Sequence, residues 1–205
     1  MKIGILGGAF DPITKGHLAV AEKVLHSGRV DTVWLMPTYN HIDNKNTIDF
    51  GDRLHLCSQA IPSMKYYYDR VSVSQFERNY PEEASTWDLF SRLKKGYPQH
   101  DFSMIIGTDQ AERITQWKNW EELIFTIPFI VVNRTGHLKL SEGQKPWYSF
   151  GPHTHLKVRT PWISSTMVRA AFESDDPELQ AEIIENVPET IIPELRKFYK
   201  KPKIS

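Results

Sequence analysis

Ile3-Gly4-Ile5-Leu6-Gly7-Gly8-Ala9-Phe10-Asp11-Pro12-Ile13-Thr14-Lys15-Gly16-His17-Leu18 reads as a buried strand that stops at paired glycines and leads into a helix. The strand occupies residues 2–6. Residues 16–25 then carry Leu18, Val20, Ala21, Val24 and Leu25 on one helical face, and Gly28 supplies a stop. Working outward, the same alternation repeats. Strands are predicted over 32–36 (closed by Pro37), around Val71 and Val73, and over 102–106, 129–132 and 155–158. Between and after them, helices are predicted over 50–61, 85–95 (capped by Ser85 or Thr86), 164–172, 177–185 and 191–199, with one or two short helices over 110–123. Parallel neighbours need a helical crossover, so this order implies an α/β fold: a doubly wound, mainly parallel, Rossmann-like sheet with helices on both faces. Ligands of such sheets sit outside the carboxyl ends of the strands, where the winding reverses.

The chain has 205 residues without a repeat or Gly/Ser linker, which predicts a single domain over 1–205 with 174–205 as a C-terminal helical extension. Lys plus Arg number 25 and Asp plus Glu 25, so the formal charge is zero. A protein that lives on nucleic acid needs a cationic excess, and no nucleic-acid partner is expected. The 40% hydrophobic and 12% aromatic content suffices for a core. No apolar run reaches the ~18 residues of a membrane span, and residues 1–7 do not resemble a signal peptide. A lone cysteine, Cys57, excludes an internal disulfide and a cysteine zinc cluster. A cytoplasmic protein is expected. The basic residues Arg196, Lys197, Lys200, Lys201 and Lys203 against Glu194 read as a solvated terminal helix, and the oligomeric state stays open.

The turn after the first strand carries the chemistry. It is neither G-x-G-x-x-G nor a Walker A loop. Paired glycines still let backbone approach a phosphate, and the next helix points its N-terminus at the same spot. Thr14 and His17, three apart, share one face there and offer a hydroxyl and an imidazole donor. A phosphate gaining charge suits such a site. The plainer alternative is a Gly-rich turn with a helix-capping Thr and a surface His.

Thr14-Lys15-Gly16-His17 resembles the H/T-x-G-H signature of the nucleotidyltransferase superfamily, and looks most like the nicotinate/nicotinamide mononucleotide adenylyltransferases. Ile163-Ser164-Ser165-Thr166-Met167-Val168-Arg169 resembles that family's I-S-S-T-x-x-R signature. Ile105-Ile106-Gly107-Thr108-Asp109, followed by Trp117 and Trp120-Glu121-Glu122-Leu123, matches its I-I-G-x-D…W…W-x-E-L stretch. Thr86 with Asp88 matches part of its S-Y-T-x-D-T helix start. The resemblance implies adenylyl transfer from ATP to the 5′-phosphate of a pyridine mononucleotide, releasing pyrophosphate, in NAD biosynthesis. His17, Thr14 and Arg169 would be catalytic, with His17 on the α-phosphate and Thr14 a second, neutral donor. ATP would be bound by Gly7, Gly8, Ala9, Phe10, Gly107, Asp109 and Ile163, with the hydroxyls of Ser164, Ser165 and Thr166 at the β- and γ-phosphates. Trp117 would stack on the pyridine ring, and Thr86, Lys45 and Arg134 would complete the substrate site. Mg2+ would arrive with ATP, held largely by water and phosphate.

Several of these residues have plainer readings. Asp109 could accept from a ribose hydroxyl or simply cap the next helix. Lys45 could be a solvated loop lysine and Arg134 could face solvent. Trp120 reads as core. His153 and His155, two apart, lack a nearby third ligand and are not assigned a metal. Thr14 and the missing double proline in 39–43 depart from nicotinate-type relatives and put the acceptor in question. Phosphopantetheine adenylyl transfer and a nucleotide-sensing module on the same fold are the alternatives.

Overall fold

Strand β1 (Lys2–Gly8) lies in the middle of the sheet because it is paired on both edges, with β2 (Thr32–Pro37) and with β4 (Asp101–Gly107). In this computed structural model residues 1–39, 47–82, 85–134, 146–160, 163–174 and 176–199 are described, Arg134 by its backbone alone. Strands β3 (Val71–Val73), β5 (Phe129–Arg134) and β6 (Thr154–Val158) complete the order β3-β2-β1-β4-β5-β6, and every pairing is parallel. The chain winds one way from β1 to β3, then crosses back to β4. The reversal therefore falls between β1 and β4, where the glycine turn leaves the sheet.

Gly4 marks a close approach of β1 to its neighbour: a Cβ there would land 2.8 Å from Ile105 Cδ1, a side-chain tip that would have to shift to admit it. Alternate β1 side chains serve two cores. Leu6 joins a cluster with α1 (Lys15–His26), α2 (Phe50–Ala60) and α6 (Ser165–Glu173), through residues such as Val24, Leu56 and Val168. Ile3 and Ile5 join the other, with Leu89 and Leu93 of α3 (Thr86–Gly96), Ala111 of α4 (Thr108–Glu112) and Leu123 of α5 (Trp120–Thr126). The expected layers, parallel sheet and helices on both faces are all present. The stretch 110–123 divides at Asn119, whose φ of 53° starts α5, a backbone region that Asn enters more readily than most residues.

The C-terminal segment, expected as a helical extension ending in a solvated basic helix, packs into the first core. Ile183 of α7 (Pro177–Ile184), Val187, Ile191, and Leu195 of α8 (Ile192–Tyr199) are buried there with Tyr199. Full burial of Leu195 alone is worth roughly 2 kcal/mol. Arg196 and Lys197 do face solvent, so the charged side of α8 is as expected while its other side is core. Cys57 is buried, and burial pushes its thiol far up, leaving it unreactive. Among the described residues no helix is long and apolar enough to cross a membrane.

Candidate active site

The carboxyl ends of β1 and β4 open into a cleft of about 470 Å3, walled by Gly7, Gly8, His17, Gly107, Asp109 and Trp117, with Thr86 across from them. Its position follows from the winding reversal. Its walls come from segments that the sequence scatters over a hundred positions.

His17 is the third residue of α1, and Thr14 is its N-cap. The Thr14 backbone N–H donates to His17 Nδ1 at 3.1 Å, and the Thr14 hydroxyl lies 3.0 Å from the same nitrogen. A main-chain N–H can only donate, so Nδ1 accepts and the neutral imidazole carries its proton on Nε2. The ring is further held edge-on to Phe10, centroids 5.1 Å apart. Thr14 was expected to touch phosphate directly. It is only 1% exposed, and its place is behind the imidazole, orienting it.

Phe10 pays for that support with a strained backbone. Its φ is 48°, a region costing a bulky residue about 1–3 kcal/mol, which burial of the ring offsets. The loop around it is braced from two helices. Arg53 of α2 is 4% exposed and donates from Nη1 to the Ala9 carbonyl at 2.8 Å and from Nε to Ile48 O at 3.2 Å. From α6, Ser165 Oγ donates to Pro12 O at 2.8 Å and Arg169 Nη1 to Asp11 O at 2.5 Å. The late signature and the first loop thus meet, as the fold requires.

That meeting shows what the residues assigned to ATP touch within the protein. Of the hydroxyls assigned to the β- and γ-phosphates, Ser165 donates to a protein carbonyl, whereas Ser164 and Thr166 are exposed and accept. Ser164 Oγ accepts from Met167 N as the cap of α6, and Thr166 Oγ1 accepts from Arg169 Nη2 at 3.2 Å. Ala9 and Phe10 sit in the braced loop, and Ile163 is buried in the first core. Asp109 is not a cap. Gly107 occupies the cap position of α4, and the Asp109 side chain is exposed on the cleft wall.

On the opposite wall, Ser85 caps α3 and forms a reciprocal pair with Asp88, whose carboxyl the Ser85 hydroxyl and Lys118 hold below its ordinary range. Lys118 Nζ reaches Asp88 Oδ2 at 3.0 Å, which ties the Trp117 turn to the helix start bearing Thr86. Trp117 is half-buried, tilted against Phe129, and keeps part of its face on the cleft. Trp120 packs on the second core, as expected. His153 Nδ1 accepts from Phe129 N at 3.2 Å. Lys45 lies outside the described residues. So does the side chain of Arg134, which ends β5.

The sequence reading passed over Arg53 and Glu77. A signal for Arg53 existed: residues 53, 56, 57 and 60 form the buried stripe of α2, so a guanidinium stands where a hydrophobe belongs. Glu77 has no such signal. It lines the cleft from the turn Phe76–Asn79, and its Oε2 accepts from Tyr39 N at 2.9 Å. Burial raises its carboxyl above the ordinary 4.5, against the pull of that N–H and of Arg53. An acid raised on folding binds more protons when folded, so its contribution is present at low pH and lost as pH rises through the folded value. Glu77→Gln should therefore match wild type below pH 4.5 and melt higher above it, by a gap that grows until the folded carboxyl has ionised and is constant beyond. A pH-independent difference in melting temperature would contradict this.

Residues 5–171 match the cytidylyltransferase-like family. The chain is 34% identical over 181 residues to nicotinate-nucleotide adenylyltransferase of Bacillus subtilis, covering 86% of this chain and 88% of that one. It belongs to the nicotinate-nucleotide adenylyltransferase family. A probable member from Bacillus cytotoxicus is 36% identical over 177 residues, 84% of this chain and 86% of its own. The fold agrees with a solved structure, Plasmodium falciparum nicotinic acid mononucleotide adenylyltransferase complexed with NaAD. Its TM-score is 0.79 at 23% identity, over 96% of this chain and 93% of that one. The four stretches that resembled this adenylyltransferase family in sequence are the ones that converge on or brace the cleft.

Proposed function

We propose that the protein transfers the adenylyl group of ATP to the 5′-phosphate of nicotinate mononucleotide, a step of NAD biosynthesis. One observation carries it. His17 stands on the wall of the cleft at the winding reversal, pinned through Nδ1 so that Nε2–H is its donor. An oxygen of the acceptor phosphate attacks the α-phosphorus in line. A new P–O bond forms, the bond from the α-phosphorus to the bridging oxygen breaks, and pyrophosphate leaves with the electron pair. No side-chain nucleophile is required, and the protein's contribution is alignment and charge stabilisation.

His17 stabilises charge at the α-phosphate, and Arg169 meets the outer phosphates beside the first loop. Trp117 offers a stacking face for the pyridine ring, and the α3 start at Thr86 favours the nicotinate carboxylate. Magnesium comes in on the ATP phosphates and neutralises part of their charge.

Pyrophosphate release measured with each acceptor separately tests the reading. Nicotinate mononucleotide should exceed nicotinamide mononucleotide in kcat/KM by about tenfold, the scale of one hydrogen bond. A preference for the amide would reverse the acceptor assignment, and turnover of phosphopantetheine alone would overturn the function.

A further inference from the structure

The Asp11 carboxylate is 1% exposed and lies between two helices remote in sequence. Oδ1 accepts from the Tyr199 hydroxyl, at the end of α8, at 2.5 Å. Oδ2 has no hydrogen bond among the described residues, and its partner is the Arg169 guanidinium at 3.5 Å. Arg169 is thus held at three points: the Asp11 carboxylate, the Asp11 carbonyl and Thr166 Oγ1. A carboxylate can turn about its Cβ–Cγ bond unless something fixes it. The phenol does so here. It is 6% exposed, on a helix anchored by Leu195, and burial beside Asp11 pushes its ionisation far up, so it stays a donor.

We propose that Tyr199 is a positioning residue of the phosphate site: its hydroxyl fixes the Asp11 carboxylate so that Oδ2 sets where the Arg169 guanidinium stands beside the first loop. The proposal rests on the adenylyl-transfer reading and extends it to a helix beyond the family match, which ends at residue 171. Without the phenol, both carboxylate oxygens would compete for the guanidinium fork, and a bidentate pair would draw Arg169 off Thr166 and away from an ATP phosphate.

Steady-state kinetics of Tyr199→Phe, Asp11→Asn and the double variant test this. Tyr199→Phe should raise KM for ATP about tenfold and leave KM for the mononucleotide within about twofold. In the Asp11→Asn background the same change should add less than about twofold, because the partner it acts through is gone. An unchanged ATP KM, a parallel rise in both KM values, or multiplicative effects would overturn the proposal while wild-type turnover left the functional reading intact. A second arm needs no variant. In the wild-type protein the Tyr199 Cζ resonance should shift on binding a non-hydrolysable ATP analogue and stay put with the mononucleotide alone. No shift at saturating analogue would also overturn it.

Discussion

Replacing His17 by alanine should slow adenylyl transfer about a hundred- to a thousandfold, some 2–4 kcal/mol, while ATP still binds. The expectation follows from how the imidazole is held. The Thr14 N–H at 3.1 Å fixes the tautomer, and the Phe10 ring at 5.1 Å fixes the plane. A donor preorganised in this way needs no reorientation as charge develops on the phosphate, so its loss falls on the transition state rather than on binding. Part of its worth is structural as well. His17 accepts from the backbone of its own N-cap, and losing such a cap costs about 1 kcal/mol of stability. Rapid-quench single-turnover rates, with calorimetric ATP titration and a melting curve on the same variant, separate the two effects. A rate loss under about tenfold in a folded variant would make His17 a capping residue only.

Arg169→Ala should weaken ATP by about a hundredfold and the mononucleotide by less than about threefold. The guanidinium is 29% exposed, linked by two of its nitrogens to the first loop and to Thr166, and carried by the helix that begins with the late signature. The variant should also melt lower. Removing the cation leaves the buried Asp11 carboxylate with the Tyr199 hydroxyl and the more distant charge of Arg53, a cost of roughly 1–2 kcal/mol after allowing for the exposure of Arg169. Arg169→Lys should restore much of the stability and little of the affinity, because an ammonium keeps the charge and loses the planar fork. Equal weakening of both ligands in calorimetric titrations, or none, would remove Arg169 from the ATP site.

Local chemistry explains which parts of the site are legible before folding. Gly7 to His17 can be read because a strand end, a close backbone approach and a helix cap each restrict residue type within a few positions. Thr86 and Trp117 are legible as motif positions. What joins them, the Lys118–Asp88 contact at 3.0 Å, spans thirty residues and has no local signature. Glu77 is invisible for the same reason. Its burial and its Tyr39 partner come from a turn folded against the end of β2.

The order of strands and helices, the parallel sheet, the winding reversal and the glycine loop at it were determined by the sequence alone. Periodicity and turn chemistry are properties of neighbours along the chain. Tertiary structure alone decided which side chains reach the cleft and which hold up those that do. It placed Thr14 behind His17, engaged the Ser164, Ser165 and Thr166 hydroxyls with protein groups, and brought Tyr199 of α8 onto Asp11 of the first loop. The reason is the cost of buried polarity. Once Asp11 and the carbonyls of Ala9 and Pro12 are taken from water they need partners, and Arg53, Ser165, Arg169 and Tyr199 are the groups that the packed helices bring within reach.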